Sequence, residues 1–227
     1  MGDAPAGTRR HGGGMDATAR LWATIAAERT AFADLLDTLT PAQWATPSLC
    51  PAWTVHGVVA HLVSAQDAGV GAKLAAAVRG RGVPSRVTEV LAEQYAVRSP
   101  AELVSRFRAL AEARFAPPGM GPRAPLTDVM VHRLDVAVPL GLVVDRPPDA
   151  WGPVLDFLVS RTPMLGVLRR GFPQATYRAT DLGWQHGSGP EVHGPAAALG
   201  SVLAGRPALA EWLGGPGVDA VRTWVEA

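Results

Sequence analysis

The chain has a single cysteine, Cys50, and a single lysine, Lys73, among its 227 residues. One cysteine excludes an internal disulfide framework and is typical of a protein from a reducing compartment. No apolar run reaches the roughly 18 residues that cross a bilayer, so a membrane is not predicted as a partner. Residues 1–14 are Gly-rich and polar without the apolar core of a signal peptide, and we expect a disordered leader. Together these features predict a cytoplasmic protein.

An excess of charge of one sign is also missing, because 21 basic and 20 acidic residues leave a formal net charge of +1. The arginines do not form clusters interleaved with aromatic residues, so nucleic acid is not predicted as a partner. Neither a strand–GxGxxG–helix unit, nor a P-loop, nor an HExxH motif occurs, which argues against nucleotide binding and metalloprotease activity. The sequence leaves monomer and homodimer open.

Apolar residues at helical spacing dominate the first part of the chain. Capping boxes at Thr40 and Ser99 and a capping residue at Thr54 mark three helix starts, and Thr127 is expected to cap another. The predicted helices cover residues 16–39, 55–63, 88–97, 100–116 and 128–138, a short turn of helix is expected after Thr40, and a further helix opens at Pro147-Pro148-Asp149. The elements within residues 69–86 are not assigned. This pattern predicts a helical bundle over residues 15–170.

After Gly171 the composition changes to short mixed segments separated by turn residues. Residues 176–181 and 183–186 predict a small hairpin or sheet, and helices are expected from Gly194-Pro195 to Leu203 and over residues 219–225. Helices first and strands later indicate two units. The predicted fold is therefore mainly α, with a bundle followed by a small α+β domain at residues 171–227.

One constellation of polar residues carries potential chemistry. Asp128, His132 and Asp135 lie at i, i+4 and i+7, which puts them on one face of one predicted helix. A carboxylate and an imidazole at i and i+4 can both reach one divalent cation, and His61 beside an apolar stripe is the natural third ligand from a facing helix. The alternative interpretation is that Asp128 and His132 have this spacing by chance and that His61 is a hydrogen-bonded core residue.

Three stretches add context to this constellation. The first is Trp44 with residues 47–55 and 58–62, the second is residues 128–136 followed by Pro139-Leu140-Gly141, and the third is residues 192–196 with 203–206. In this order they resemble the signatures of the mycothiol-dependent maleylpyruvate isomerase family. The third stretch is similar to the Gly-Arg element of the family's sterol-carrier-protein-like C-terminal domain. The resemblance covers nearly the whole chain after the leader.

The resemblance implies a DinB-like four-helix bundle with a metal, usually zinc, held by His61, Asp128 and His132. It also implies chemistry with a low-molecular-weight thiol such as mycothiol. The thiolate adds to a small electrophilic substrate, giving cis–trans isomerisation if it is later eliminated or S-transfer if it is retained. One departure is that the isomerases carry Glu where this chain has Asp128, one methylene shorter, which leaves the metal and the substrate open.

Further residues are candidates for supporting roles. Asp135 could orient a ligating histidine or act as a base, or else pair with Arg133 as a structural residue. As catalytic residues we predict Asp135 and Arg133. Arg178, Arg206 and Trp184 are predicted to bind the cofactor, because guanidinium groups grip planar anions and an indole can cover a ligand. Cys50 is interpreted as a small packed residue, with nucleophile or extra metal ligand as the alternatives.

Two other classes of function remain open from the sequence. The first is a non-catalytic ligand-binding module with a structural metal, although structural zinc sites usually have four protein ligands and only three are predicted here. The second is a metal-dependent hydrolase of a small molecule in which Asp135 serves as the base.

Overall fold

The computed structural model describes residues 16–51, 53–143, 146–160 and 171–227. The predicted leader at residues 1–14 lies outside these ranges, and the predicted boundary at residue 170 falls at the edge of an undescribed segment. The helices are α1 (Ala17–Asp37), α2 (Pro41–Trp44), α3 (Val55–Asp67), α4 (Val70–Arg79), α5 (Pro84–Tyr95), α6 (Pro100–Ala109), α7 (Arg123–Ala137), α8 (Pro148–Leu158), α9 (Ala196–Leu203) and α10 (Val218–Glu226), with a 3-10 helix over Pro207–Trp212. The strands are β1 (Thr176–Ala179), β2 (Gln185–Gly187) and β3 (Glu191–Gly194).

Helix starts follow the capping residues that the sequence predicts. Thr40 and Ser99 each form a complete capping box with a Pro at the first helical position, which satisfies backbone N–H groups that a helix start leaves free. The Thr54 hydroxyl accepts a hydrogen bond from the Gly57 N–H at the start of α3. These local signals place the starts of α2, α3 and α6 as predicted.

Two predicted helix ends are wrong. Helix α7 begins at Arg123, four residues before Thr127, whose hydroxyl instead donates to the Arg123 carbonyl within the helix. Helix α6 ends at Ala109, because the carbonyls that follow it are bound by the guanidinium of Arg29 from α1. Phe115 is consequently not an inward helical residue and is 37% exposed. Helices α4 and the first turn of α5 occupy the region that the sequence left unassigned.

Helix α7 lies at the centre of the bundle. It packs against α1, α3, α8 and α9, and between Pro125 and Ala137 every residue except Asp128 is buried. A helix buried on all sides shows no single apolar stripe, so polar residues on it must find partners inside the protein. None of the described helices combines the length and the hydrophobicity that a membrane-spanning helix needs.

The C-terminal part is a three-stranded sheet covered by α9. The strand order is β2-β1-β3, with β1 and β2 antiparallel and β1 and β3 parallel. Strand β3 was not predicted, because its flanking Gly-Pro pairs look like turns in the sequence. Helix α8 packs against both α7 and α9, and one continuous hydrophobic core includes residues of the bundle and of the C-terminal part. The predicted fold class, a DinB-like bundle followed by a small α+β part, is confirmed.

The contact between Trp151 of α8 and Gly200 of α9 tests this shared core. A methyl group at Gly200 would overlap the Trp151 ring, which is 2% exposed and cannot move aside. We expect Gly200→Ala to lower the free energy of unfolding by about 1–3 kcal/mol, the usual cost of overpacking a core. Gly71→Ala is the control, because nothing lies within 4 Å of the added carbon. Equal urea midpoints for Gly200→Ala and the wild type would show that α8 and α9 do not pack as described.

Candidate metal centre

Three side chains from two helices converge on one point. The Asp128 Oδ1 atom lies 3.4 Å from His61 Nε2 and 3.4 Å from His132 Nε2. These three atoms lie within 4.8 Å of one another, and this is the one such group of three His, Cys, Asp or Glu residues found in the described parts of the chain. Two imidazole nitrogens and one carboxylate oxygen are a donor set that suits zinc and similar divalent ions.

Local structure explains why these atoms meet. Asp128 and His132 are one turn apart on α7, and His61 faces them from α3. The Trp53 indole stacks on the His61 ring at a centroid distance of 4.7 Å and an interplanar angle of 20°. Gly57 permits this position, since a Cβ there would come within 2.9 Å of Trp53 Cβ. The loop before α3 therefore holds the His61 ring in place.

Asp135 holds His132 in a fixed orientation. Its Oδ2 atom accepts a hydrogen bond from His132 Nδ1 at 2.8 Å. Arg206 donates to both Asp135 oxygens, from Nε at 3.0 Å and from Nη2 at 2.9 Å. Because the carboxylate can only accept, Nδ1 carries a proton, and Nε2 is the ring nitrogen that faces the cluster. This hydrogen bond fixes the orientation of the His132 ring, which is one of the roles predicted for Asp135.

The charges of the cluster stabilise one another. Burial opposes ionisation of Asp128, but the rings of His61 and His132 outweigh it and hold the pKa of Asp128 well below its usual range. Burial also disfavours a charged His132, yet Asp128 and Asp135 raise the pKa of His132 to about 9. Without a metal, His132 is therefore protonated at neutral pH, and a cation bound there replaces that proton.

The cluster lies in the wall of a cavity of about 360 Å³, within the range of small-molecule sites. The wall is largely apolar, with contributions from Phe115, Met120, Val131 and Phe157. Cys50 is half-buried, packs against the hydrophobic core as expected, and also lines this cavity. The arrangement places potential metal ligands beside a space that a small organic molecule can fill.

Arg206 is the one predicted cofactor-binding residue that the structure brings to this cavity. Arg133 was predicted to be catalytic, but its guanidinium donates to the Ala31 carbonyl of α1 and does not line the cavity. Arg178 pairs with Glu191 across strands β1 and β3. Arg133 and Arg178 thus lie outside the lining of this cavity, and the roles predicted for them stay predictions.

Trp184 is also placed away from the cavity. Its Nε1 donates to Asp156 of α8 at 3.0 Å, and its ring stacks on His186. The indole joins the hairpin to the bundle, and its predicted role of covering a ligand stays a prediction.

One residue of the cavity wall was missed by sequence reasoning. Arg29 of α1 is 2% exposed and lines the cavity. It continues the apolar series Ile25, Phe32 and Leu36 at helical spacing. A charged residue within the inward stripe of a helix was the signal that could have identified it.

Comparison with known proteins agrees with this geometry. Residues 25–116 match the model of the mycothiol maleylpyruvate isomerase N-terminal domain, which includes His61 and ends before Asp128. The family resemblance predicted from the sequence is thereby confirmed over this part of the chain. No curated protein matches the sequence.

Two solved structures are similar in fold. The crystal structure of the mycothiol-dependent maleylpyruvate isomerase aligns with a TM-score of 0.59 at 14% identity, covering 88% of this chain and 92% of that chain. A mutant of that isomerase aligns with a TM-score of 0.57 at 13% identity and the same coverage. At such identities the similarity concerns the fold alone.

His132→Ala tests the assignment of the ligands. We expect it to abolish binding of one equivalent of zinc and to leave the helical circular dichroism largely intact, because it removes one of three ligand atoms. His186→Ala is the control, since His186 is exposed on the C-terminal hairpin. Elemental analysis after dialysis measures the metal. A full equivalent retained by His132→Ala would mean that the ion binds elsewhere.

The affinity for zinc should depend on pH in a defined direction. Since zinc must displace the proton of His132, whose pKa is about 9, the apparent affinity should rise about tenfold per pH unit between about pH 7 and 9 and then level off. Competition titrations with a chelator of known proton affinity measure this slope. A flat affinity over that interval would contradict the described charge of the metal-free cluster.

Proposed function

We propose that this chain, which carries the mycothiol maleylpyruvate isomerase N-terminal domain over residues 25–116, is a metal-dependent enzyme that uses a low-molecular-weight thiol of the mycothiol type. The reaction would be isomerisation or S-transfer on a small electrophilic substrate. The observation that carries the proposal is the convergence of His61, Asp128 and His132 on the wall of a largely apolar cavity.

The donor set supports a reactive site over a structural one. Three protein ligands leave a coordination position for a further molecule, whereas structural zinc sites are usually closed by four. A divalent ion bound by these residues, zinc being the first candidate, would lower the pKa of a coordinated thiol and hold it as thiolate at neutral pH.

The residues of the chain supply the positioning. Asp135 keeps the His132 proton on Nδ1, and Arg206 keeps Asp135 in place. Trp53 restrains the His61 ring, and the wall beside the reacting groups is largely apolar. In the isomerisation, a carbon–sulfur bond forms at an activated double bond, rotation follows about the resulting single bond, and elimination breaks the carbon–sulfur bond to return the thiolate.

The hydrolase alternative gains no support from the geometry. It requires Asp135 as a base, but this residue is 0% exposed and both of its oxygens are already bonded to His132 and Arg206. Burial opposes its ionisation, yet His132 and Arg206 hold the pKa of Asp135 below its usual range. A carboxylate in this state is a poor proton acceptor.

The proposal predicts a spectroscopic signal with cobalt in place of zinc. Two neutral imidazoles and one carboxylate give a divalent centre with a net charge of about +1, which stabilises an incoming thiolate. Addition of mycothiol near pH 7 should therefore produce a sulfur-to-cobalt charge-transfer band and release about one proton per site. The His132→Ala protein, treated in the same way, is the control and should show no band.

Absence of the charge-transfer band would contradict the proposal. If protein loaded with one equivalent of cobalt shows no such band with mycothiol or with any other abundant low-molecular-weight thiol, the thiol chemistry is excluded. Binding of cobalt without the band would leave a metal site with a different ligand.

A further inference from the structure

Arg29 is a buried cation in the wall of the cavity. It projects from the inward face of α1, where Ile25 and Phe32 are fully buried, and it is itself only 2% exposed. Burial lowers the pKa of Arg29 to about 10 against the opposing influence of Asp128, so the guanidinium remains charged at neutral pH. A charged group removed from water requires compensation by hydrogen bonds or an opposite charge.

Hydrogen bonds within the described part of the protein involve only one of the three nitrogens of this guanidinium. Nη1 donates to the carbonyls of Leu110, Ala111 and Ala113 at 3.4, 3.2 and 2.8 Å. Within the described residues, no carboxylate lies within ion-pair distance of Arg29, and its Nε and Nη2 groups have no hydrogen-bond partner. Those donors are not among the fully buried polar atoms that lack a partner, and Arg29 lines the cavity.

The other charged groups of the wall do not replace this missing partner. Arg206 is held by both oxygens of Asp135, and Asp128 faces His61 and His132. Glu89 of α5 also lines the cavity but forms no ion pair with Arg29. Arg29 is therefore an arginine of this cavity with no carboxylate within ion-pair distance in the described chain, and Asp128 acts on its charge only from farther away.

We propose that Arg29 is a specificity-determining residue that binds a carboxylate of the small-molecule substrate through Nε and Nη2. The guanidinium fork matches a planar carboxylate with two parallel hydrogen bonds. The apolar wall would then take the carbon skeleton of the same molecule. This inference rests on the proposed function only in treating the cavity as the substrate site.

The test compares a carboxylate with its neutral amide in zinc-loaded protein without thiol. Isothermal titration should show that the wild type prefers succinate over succinamide by about tenfold or more, because a charge-assisted pair is lost with the amide. Arg29→Met should abolish this preference, and Arg29→Lys, which keeps the charge without the fork, should retain part of it. Arg108→Met is the control, since Arg108 is bound to Asp34 and Asp37 outside this cavity.

A second measurement does not depend on the folding of the methionine variant. The Nε–H resonance of Arg29, assigned by its absence from the Arg29→Lys spectrum, should shift on addition of succinate to the wild type and stay in place with succinamide. The inference would be overturned if Arg29→Met kept the preference for succinate over succinamide. It would also be overturned if the Arg29 Nε–H resonance did not shift when succinate binds. Neither result affects the cobalt band with thiol, so failure of this inference and failure of the thiol chemistry are distinguishable.

Discussion

The buried carboxylate of Asp135 is the constraint on which the site depends. It lies on the central helix α7, it binds His132 on the same helix, and it binds Arg206, which follows α9 in the C-terminal part. Its backbone carbonyl also accepts from Leu49 in the loop that carries Trp53. Breaking a buried ion pair by removing one partner typically costs about 3–5 kcal/mol. Packing of the C-terminal part and orientation of a metal ligand are thus consequences of the same contact.

This contact gives the C-terminal part a role at the site without a metal ligand of its own. Arg206 neutralises Asp135, so His132 can turn its Nε2 towards Asp128. Arg206 is already paired with the carboxylate of Asp135. If the cavity is to hold an anion, a second arginine is therefore needed, and Arg29 from α1 meets that need. Of these two arginines, Arg206 therefore supports the candidate metal ligands through Asp135, and Arg29 is the proposed contact of a substrate carboxylate.

The parts of the structure that local sequence determines were predicted well. Capping residues such as Thr54 and Ser99 act within four residues, and the pairing of Asp128 with His132 follows from one helical turn. The contacts that were not predicted join residues that are far apart along the chain. Asp135 and Arg206 are 71 residues apart, and Arg29 reaches carbonyls more than 80 residues away. The contact of Trp184 with Asp156 was not predicted for the same reason, since Asp156 belongs to another element.

A thermodynamic cycle of zinc affinity tests most directly whether Arg206 acts on the metal residues through Asp135. The measurements are chelator competition titrations of the wild type, Asp135→Asn, Arg206→Gln and the double variant, with circular dichroism to verify the fold. Loss of a residue that orients a ligating histidine typically lowers metal affinity about 10–100-fold. We expect both single variants to fall in this range and the double variant to bind no more weakly than Asp135→Asn. Wild-type affinity in Arg206→Gln, or losses that multiply in the double variant, would contradict the account.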